Sequence, residues 1–141
     1  MADIQRTLVL VKPDGVRRGL VGEVLRRIET KGYALVALDL RTATPVLLEE
    51  HYAEHAGKPF LPALVEFMSS GPVAAVVVEG HAVIEGFRSL AGATNPTAAT
   101  PGTIRGDLAR EWETSVIQNI VHGSDSPQSA AREIALWFPG L

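Results

Sequence analysis

Residues 73–78, Val73-Ala74-Ala75-Val76-Val77-Val78, form an uninterrupted run of six small apolar side chains. Such a run is typical of a strand that is buried on both faces, so it predicts a central strand. A second run, Thr7-Leu8-Val9-Leu10-Val11, is rich in β-branched residues and predicts another buried strand. This strand is expected to end in a turn at Lys12-Pro13-Asp14-Gly15, because Pro fixes φ and Gly accepts a positive φ.

The spacing of apolar residues in the rest of the chain predicts the remaining helices and strands. An apolar helical stripe starts at Leu20 and stops at Gly32, and a helix that opens at Thr44-Pro45 is expected to run through His55. Strands are predicted at 7–11, 33–40, 73–78 and 116–121, and helices that begin near 20, 44, 62, 81 and 126. Residues 92–103 form a Gly-, Thr- and Pro-rich loop. The alternation of strands and helices predicts an α/β protein with a parallel sheet, without settling the strand order.

Composition bounds the class of protein. A chain of 141 residues with 46% apolar and 21% charged residues predicts one globular domain spanning residues 1–141. The net charge of −3 disfavours a nucleic-acid or anionic-membrane partner, and the chain has no cysteine for a disulfide or a thiol nucleophile. Without a signal peptide pattern or an apolar run long enough to span a bilayer, the sequence predicts a cytoplasmic protein.

Several common catalytic motifs are missing from the sequence. Gly57-Lys58 is followed by Pro59, which excludes a P-loop, and no GxGxxG comes after the first strand. His51 and His55 lie four residues apart on a predicted helix, a spacing that suits a shared metal. Position 52 is Tyr rather than the Glu of HExxH and no third ligand is evident, so a partly solvated helix face is the favoured interpretation.

The heptapeptide Asn119-Ile120-Val121-His122-Gly123-Ser124-Asp125 carries the clearest chemical signal. A lone histidine is usually a hydrogen-bonded core residue, but His122 falls where a predicted strand ends. Glu133 comes eleven residues later, about two turns into the next helix, where its carboxylate is expected to hold the imidazole. A nucleophilic histidine needs such a partner, because the hydrogen bond on one nitrogen decides which nitrogen reacts.

The heptapeptide resembles the active-site signature of nucleoside diphosphate kinases, and the resemblance extends over almost the whole chain. Further stretches similar to this family occur in family order: Lys12-Pro13-Asp14-Gly15, Arg18-Gly19-Leu20-Val21-Gly22, His51-Tyr52, Lys58-Pro59-Phe60, Ser70-Gly71-Pro72-Val73, Gly92-Ala93-Thr94-Asn95-Pro96 and Pro101-Gly102-Thr103-Ile104-Arg105-Gly106-Asp107. The short C-terminus after Trp137-Phe138-Pro139 resembles bacterial members.

The resemblance implies a ping-pong transfer of the γ-phosphate of a nucleoside triphosphate to a nucleoside diphosphate, with broad base specificity, which maintains nucleotide pools. His122 matches the family nucleophile, which is phosphorylated on Nδ1. Glu133 and Ser124 match the groups beside it, and Tyr52 matches a pocket tyrosine for which a structural role is equally open. The alternative is a catalytically silent nucleotide-binding module of the same fold.

The resemblance also implies the nucleotide contacts. It assigns phosphate binding to Arg88, Arg105 and Thr94, ribose binding to Lys12 and Asn119, and base stacking to Phe60. Arginine suits phosphate because its planar fork is always charged, and stacking on a ring is tolerant of base identity. Mg²⁺ is expected on the nucleotide phosphates, with no metal ligand from the protein.

The fold implied by the resemblance is an α+β sandwich, ferredoxin-like βαββαβ, with a four-stranded antiparallel sheet and added helices. This expectation replaces the parallel sheet that element order favours. The resemblance also implies a homo-oligomer, a hexamer in most members, with a tetramer or a dimer left open, and ATP and other nucleoside di- and triphosphates as partners.

One departure from the family pattern lies within residues 108–115, where the chain has about four extra residues. Four residues are close to one helical turn, so the insertion is expected to extend a helix without rotating the chain beyond it. Trp112 is a large apolar side chain that is expected to be buried, against a neighbouring subunit if not within its own. Because the spacing from Asn119 to Glu133 matches the family, catalysis is expected to survive the insertion.

Overall fold

Four strands form one antiparallel sheet in the computed structural model, which describes residues 3–141 and leaves Met1 and Ala2 of the N-terminal sequence outside the description. The strands are β1 (Ile4–Val11), β2 (Ala34–Arg41), β3 (Val73–His81) and β4 (Val121–Gly123), and their order is β2-β3-β1-β4. β1 pairs with β3 and β4, and β2 pairs with β3, each antiparallel. The ferredoxin-like α+β fold is therefore confirmed.

Seven helices surround the sheet in the described part of the chain. They are α1 (Pro13–Arg17), α2 (Val21–Lys31), α3 (Pro45–His51), α4 (Leu61–Met68), α5 (Val83–Ala91), α6 (Ile104–Leu108) and α7 (Pro127–Trp137), with a 3₁₀ turn at Ala53–His55. The predicted caps hold: Thr44 Oγ1 accepts from Leu47 N, and Ser126 Oγ accepts from Ser129 N. Over residues 3–141, no helix has the length and apolar character to cross a membrane.

The parallel sheet that element order favours is wrong, because β3 lies between β1 and β2, and β1 lies between β3 and β4, so the strands that run in the same direction are not neighbours. The apolar runs of the two central strands do not reveal this arrangement. Along β1, Val9 and Val11 pack on one face with α2 and α5, whereas Leu8 and Leu10 pack on the other with α3, α4 and α7. A continuous apolar run therefore reports that both faces of a strand are buried. It carries no information on strand direction, because an antiparallel sheet covered on both faces has the same pattern.

Several boundaries differ from the sequence-based prediction. Strand β3 continues to His81, where the sequence predicts the start of a helix, and the sequence pattern does not predict the short helix α6. Lys12-Pro13-Asp14-Gly15 is not a simple turn, because Pro13 begins the short helix α1. Helix α3 ends at His51, and Ala53–His55 is a separate 3₁₀ turn. The last strand covers only Val121–Gly123, because Ile120 has a φ of 74°, which interrupts an extended chain.

The expected extension of a helix by the insertion is also wrong. α6 ends at Leu108, the next residue Ala109 is extended, and no helix continues into residues 109–119. Trp112 is 41% exposed and its ring lies 3.8 Å from the Arg110 guanidinium. A helix is stabilised mainly by burying one apolar face, and the exposed Trp112 and Ile117 show that this segment has none to bury.

Candidate active site

His122 lies on the edge strand β4, directly opposite Leu10 of β1. Because opposed residues share a face of the sheet, His122 lies on the face that packs against α3 and α7. Helix α7 buries Ala130, Glu133 and Trp137, three residues at helical spacing on one stripe. The pairing of β4 with β1 therefore brings the imidazole to the Glu133 carboxylate, as the sequence predicts.

A buried carboxylate fixes the orientation of the imidazole. Glu133 Oε1 lies 2.8 Å from His122 Nε2 and accepts a hydrogen bond of 2.7 Å from the Ser124 hydroxyl. Ser124 Oγ in turn accepts from Leu8 N of β1, so this hydroxyl is anchored to the sheet. Burial alone would raise the pKa of Glu133, but the hydrogen bond and charge of His122, with the Ser124 hydroxyl, lower it overall.

This contact selects the tautomer of His122. An ionised carboxylate only accepts hydrogen bonds, so Nε2 must carry the proton that it donates to Glu133. In the neutral ring Nδ1 then holds the lone pair. His122 also lines a cavity of about 300 Å³, so the imidazole is held from behind and borders a space that admits a ligand.

The cavity beside His122 is cationic although the chain carries a net charge of −3. Its residues come from α5, α6, β4, the loop after α5 and the positions that flank β1 and β4: Lys12, Phe87, Arg88, Ala91, Gly92, Ala93, Thr94, Arg105, Asn119, His122 and Gly123. Three of them are cations and none is acidic. Such a cavity favours an anion with several oxygens, a phosphate chain above all.

The two arginines of this cavity are held differently. The Arg105 guanidinium donates to the carbonyl oxygens of Asn119, Gly92 and Val121, at 3.3, 2.9 and 2.6 Å. Burial, and then the charge of Arg88, lowers the pKa of Arg105 to about 10. Arg88 is exposed on α5 and has no side-chain hydrogen bond to any residue from 3 to 141. Arg105 is therefore fixed in place, whereas Arg88 is free to follow a ligand.

A short chain of hydrogen bonds crosses the middle of the site. Lys12 Nζ donates to Asn119 Oδ1 at 2.9 Å, and Asn119 Nδ2 donates to the Thr94 carbonyl at 2.8 Å. Burial of the ammonium, and then the charge of Arg105, lowers the pKa of Lys12 to about 8. The Asn119 side chain is thus oriented at both of its polar atoms.

A second cavity, of about 560 Å³, adjoins the first and shares Lys12, Asn119 and Thr94 with it. It is lined by Lys12, Phe60, Ala63, Leu64, Thr94, Ser115, Val116, Ile117 and Asn119. Phe60, at the start of α4, is 49% exposed and presents its ring there. The sequence gives no signal for the facing wall of residues 115–117, since its pattern places them in the insertion and in a strand.

Tyr52 lines neither of these two cavities, but it packs beside His51, and burial together with the charge of Glu133 raises the pKa of its phenol. The rings of Tyr52 and His51 pack edge to face at 4.7 Å, and His51 packs against His122 at 4.8 Å. His51 is buried, its Nδ1 accepts from the Trp137 indole N–H at 3.1 Å, and burial lowers its pKa to about 3. A neutral His51 therefore packs behind the nucleophile candidate.

The His51–His55 metal pair is not formed. His51 turns inward to Trp137, whereas the His55 ring packs against Phe60 at 5.1 Å. Among the described residues, the candidate metal ligands that do converge are His51, His122 and Glu133, with their ligand atoms within 4.8 Å. His51 Nδ1, His122 Nε2 and Glu133 Oε1 already take part in hydrogen bonds, so we interpret this group as a hydrogen-bonded imidazole–carboxylate cluster rather than as a metal site.

Together, the fold and this pair of cavities indicate a phosphotransferase that acts on nucleotides. The sequence pattern of the nucleoside diphosphate kinase family matches residues 5–141. The nucleoside diphosphate kinase of Mycolicibacterium gilvum is 60% identical over 138 residues, 97% of this chain and 98% of that protein. That of Saccharopolyspora erythraea is 62% identical over 138 residues, with the same coverage.

Solved structures agree with the sequence comparison. A transition-state mimic of the Borrelia burgdorferi nucleoside-diphosphate kinase, with bound vanadate and ADP, has a TM-score of 0.90 and 39% identity, and covers 97% of this chain and 88% of that one. The chain belongs to the nucleoside diphosphate kinase family. It is an enzyme that transfers phosphate between nucleoside triphosphates and nucleoside diphosphates.

Proposed function

We propose that His122 Nδ1 is the atom that carries the phosphate between the two nucleotides. Its lone pair attacks the γ-phosphorus of a triphosphate, the N–P bond forms, and the bond from the γ-phosphorus to the bridging oxygen breaks with its electron pair on the departing diphosphate. A second diphosphate then attacks the phosphohistidine and restores the neutral ring. The observation that carries this proposal is the 2.8 Å contact of Nε2 with Glu133, which leaves Nδ1 as the reactive nitrogen.

Glu133, Ser124 and Tyr52 act through His122 in this proposal. Glu133 stabilises the positive charge that develops on the ring as Nδ1 forms its bond, and Ser124 holds the carboxylate in position. Tyr52 lies one ring further away, so its contribution is to pack His51 against the nucleophile.

The linings of the two adjoining cavities support one orientation of the nucleotide. The phosphates lie among Arg88, Arg105 and the Thr94 hydroxyl, because this end is cationic and borders His122. The ribose hydroxyls lie at Lys12 and Asn119, which both cavities share. The base stacks on Phe60, and this face-on contact accounts for broad base specificity, since every base has a π-face.

The donor set also bears on the place of Mg²⁺. The lining of the phosphate cavity is cationic, and Glu133 Oε1 already accepts two hydrogen bonds. These residues suit phosphate oxygens rather than a protein-held cation, so we expect Mg²⁺ to enter bound to the nucleotide. There it supplies charge neutralisation between neighbouring phosphates.

The wider setting of the enzyme is also a proposal. We propose one domain, because N-terminal β1 pairs with C-terminal β4 at the centre of the site. A homo-oligomer, with the hexamer as the form that the resemblance implies, is supported by Leu38 and Leu40, which are 54% and 61% exposed on edge strand β2. The cytoplasm is the expected compartment because it holds both classes of nucleotide.

Phosphate labelling tests the role of His122. Incubation with γ-labelled ATP is expected to leave an acid-labile, base-stable phosphate on the protein, and His122→Ala is expected to abolish it. His55→Ala is the matched control, since His55 contacts Phe60 outside the phosphate cavity. Label that persists in His122→Ala, or is lost equally in both variants, would contradict the assignment.

A further inference from the structure

Ile120 has a backbone conformation that its side chain disfavours. Its φ is 74°, in the left-handed region, and its side chain is fully buried in the core on the α2 and α5 face of the sheet. A β-branched residue is rare in this region because its Cβ crowds the backbone. Such a conformation persists only where the surrounding contacts impose it, and Ile120 lies between Asn119 and Val121, two residues before His122.

The helix α1 segment imposes this conformation through two hydrogen bonds. Asp14 Oδ2 accepts from the Ile120 N–H at 3.0 Å, and the Ile120 carbonyl accepts from Lys12 N at 2.7 Å. The Asp14 side chain is 4% exposed, and its Oδ1 has no hydrogen-bond partner among the described residues. One buried carboxylate is therefore kept in the core with one side-chain hydrogen bond, to the strained residue, while its charge acts at longer range on Lys12, where it opposes the lowering of the pKa by burial.

Gly15 gives Ile120 the space that it needs. A Cβ at position 15 would lie 2.8 Å from Val11 Cγ1 and 3.0 Å from Ile120 Cγ2. The backbone at Gly15 thus packs directly against the side chain of Ile120. Relaxation of Ile120 to an extended conformation would break its hydrogen bond to Asp14 and also the 2.8 Å bond from Val121 N to the Asn119 carbonyl, which closes a tight turn around Ile120.

The position of Ile120 decides where its neighbours point. Asn119 Oδ1 and Nδ2 meet Lys12 and the Thr94 carbonyl, and the Asn119 and Val121 carbonyls both accept from Arg105. If Ile120 relaxed to an extended conformation, the peptide groups on either side would rotate, and these contacts would be lost together.

We propose that Asp14 is a positioning residue for the transfer reaction, which holds Ile120 in its left-handed conformation and thereby aims the Asn119 side chain at the ribose. This inference rests on the proposed ribose contact of Asn119 and Lys12. Asp14 itself touches no substrate, since it is buried beneath the cavity and does not line it.

The test compares Asp14→Ala with Asp14→Asn, which keeps an acceptor oxygen for the Ile120 N–H. Both are assayed with ADP and with 2′,3′-dideoxy-ADP, which lacks both ribose hydroxyls. Asp14→Ala is expected to lower kcat/KM for ADP more than tenfold. It is also expected to lower the acceptor preference, which is the ratio of kcat/KM for ADP to kcat/KM for the dideoxy acceptor, at least threefold. Asp14→Asn is expected to stay within threefold of the wild type in both respects.

Two further variants separate positioning from stability. Ile28→Val removes one methylene from the core beneath α2, so it is expected to lower Tm without changing the acceptor preference. Ile120→Gly removes the penalty of a positive φ, so Asp14→Ala combined with Ile120→Gly is expected to regain the acceptor preference of Ile120→Gly alone. If Ile120→Gly does not fold, the comparison of Asp14→Ala with Asp14→Asn decides by itself.

The outcomes distinguish this inference from the function on which it rests. A wild-type enzyme that uses both acceptors equally well would contradict the proposed ribose contact itself. A discriminating wild type, with an unchanged preference in Asp14→Ala, would overturn the role of Asp14 alone. An equal loss in Asp14→Ala and Asp14→Asn would also overturn it, because the hydrogen bond to Ile120 would then not be what matters.

Discussion

At the scale of single residues, the site separates side chains that the protein already holds from one that it leaves free. Arg105 donates to three backbone carbonyls, so Arg105→Ala is expected to lower Tm as well as kcat/KM. Arg88 makes no such bond to the described residues 3–141, so Arg88→Ala is expected to leave Tm unchanged. Loss of one charge-assisted phosphate contact, typically about 1.5–3 kcal/mol, predicts a fall in kcat/KM of roughly tenfold or more in each. Steady-state kinetics with thermal unfolding measure both effects, and equal Tm losses in the two variants would contradict the distinction.

If Lys12 binds the nucleotide as proposed, its lowered pKa of about 8 is expected to make this binding sensitive to pH. As the pH rises through 8 the ammonium loses its proton, so KM for ADP is expected to rise between pH 7 and pH 9.5. Between pH 8 and the ordinary lysine pKa of 10.5, the unfolded chain keeps a proton that the folded chain has lost, so this group makes the fold more stable as the pH rises through this range. A rise in KM at high pH would therefore not be caused by unfolding through this group. Lys12→Arg keeps its charge and is the control: its KM should stay flat over this range, and a parallel rise in both proteins would assign the effect elsewhere.

A contact in the site can be predicted from the sequence only when its two residues lie close together along the chain. Glu133 and His122 could be paired from sequence because a strand end and two helical turns fix their separation, and the structure places them 2.8 Å apart. No spacing joins Asp14 to Ile120, which are 106 residues apart, since that contact depends on how β1 and β4 align. The positive φ of Ile120 is likewise invisible in a β-branched residue that predicts a strand.

At the scale of elements, caps and periodic stripes were predictable because their causes are local. Helix α2 ends at Gly32, which has a φ of 103°, and α7 begins after the Ser126 cap, both as predicted. Strand direction and the end of α6 were not predictable, since both depend on which surfaces remain to be covered. The same reasoning explains residues 110–115, where good helix formers stay irregular because all six residues are exposed and have no core surface to cover.

The segment after α6 also carries a prediction about Trp112. Its ring is 41% exposed, packs against Arg110, and lines neither cavity. Trp112→Ala is therefore expected to leave kcat within about twofold, while any assembly that buries this ring loses roughly 1.5–3 kcal/mol. Light scattering over a dilution series, run beside the exchange assay, measures both. An unchanged oligomer with collapsed turnover would instead place Trp112 in the active site.

At the scale of the whole molecule, the nucleotide site joins parts of the chain that are otherwise separate. The phosphate cavity draws on α5, α6 and β4, the Phe60 cavity on α4 and residues 115–117, and Lys12, Thr94 and Asn119 belong to both. A net charge of −3 on the chain with three cations around one cavity concentrates the attraction for an anion at the site. In the proposed orientation, one nucleotide meets two chemically different cavities, and the strained residue Ile120 lies next to Asn119, which both cavities share.

If the phosphate cavity and the Phe60 cavity bind different parts of the nucleotide, fragments of the substrate should stabilise the protein separately. ADP at about 100 times its Kd should add about 2.7 kcal/mol, a rise in Tm of roughly 5–10 °C. Inorganic triphosphate and adenosine should each give a smaller rise, and Arg88→Ala should reduce the effect of triphosphate but not that of adenosine. Phe60→Ala should do the reverse, and its exposed ring makes it a mild change to the fold. Thermal unfolding with each fragment measures these shifts. If both variants weaken both fragments equally, the two cavities do not bind separate halves of the nucleotide, and its proposed orientation is wrong.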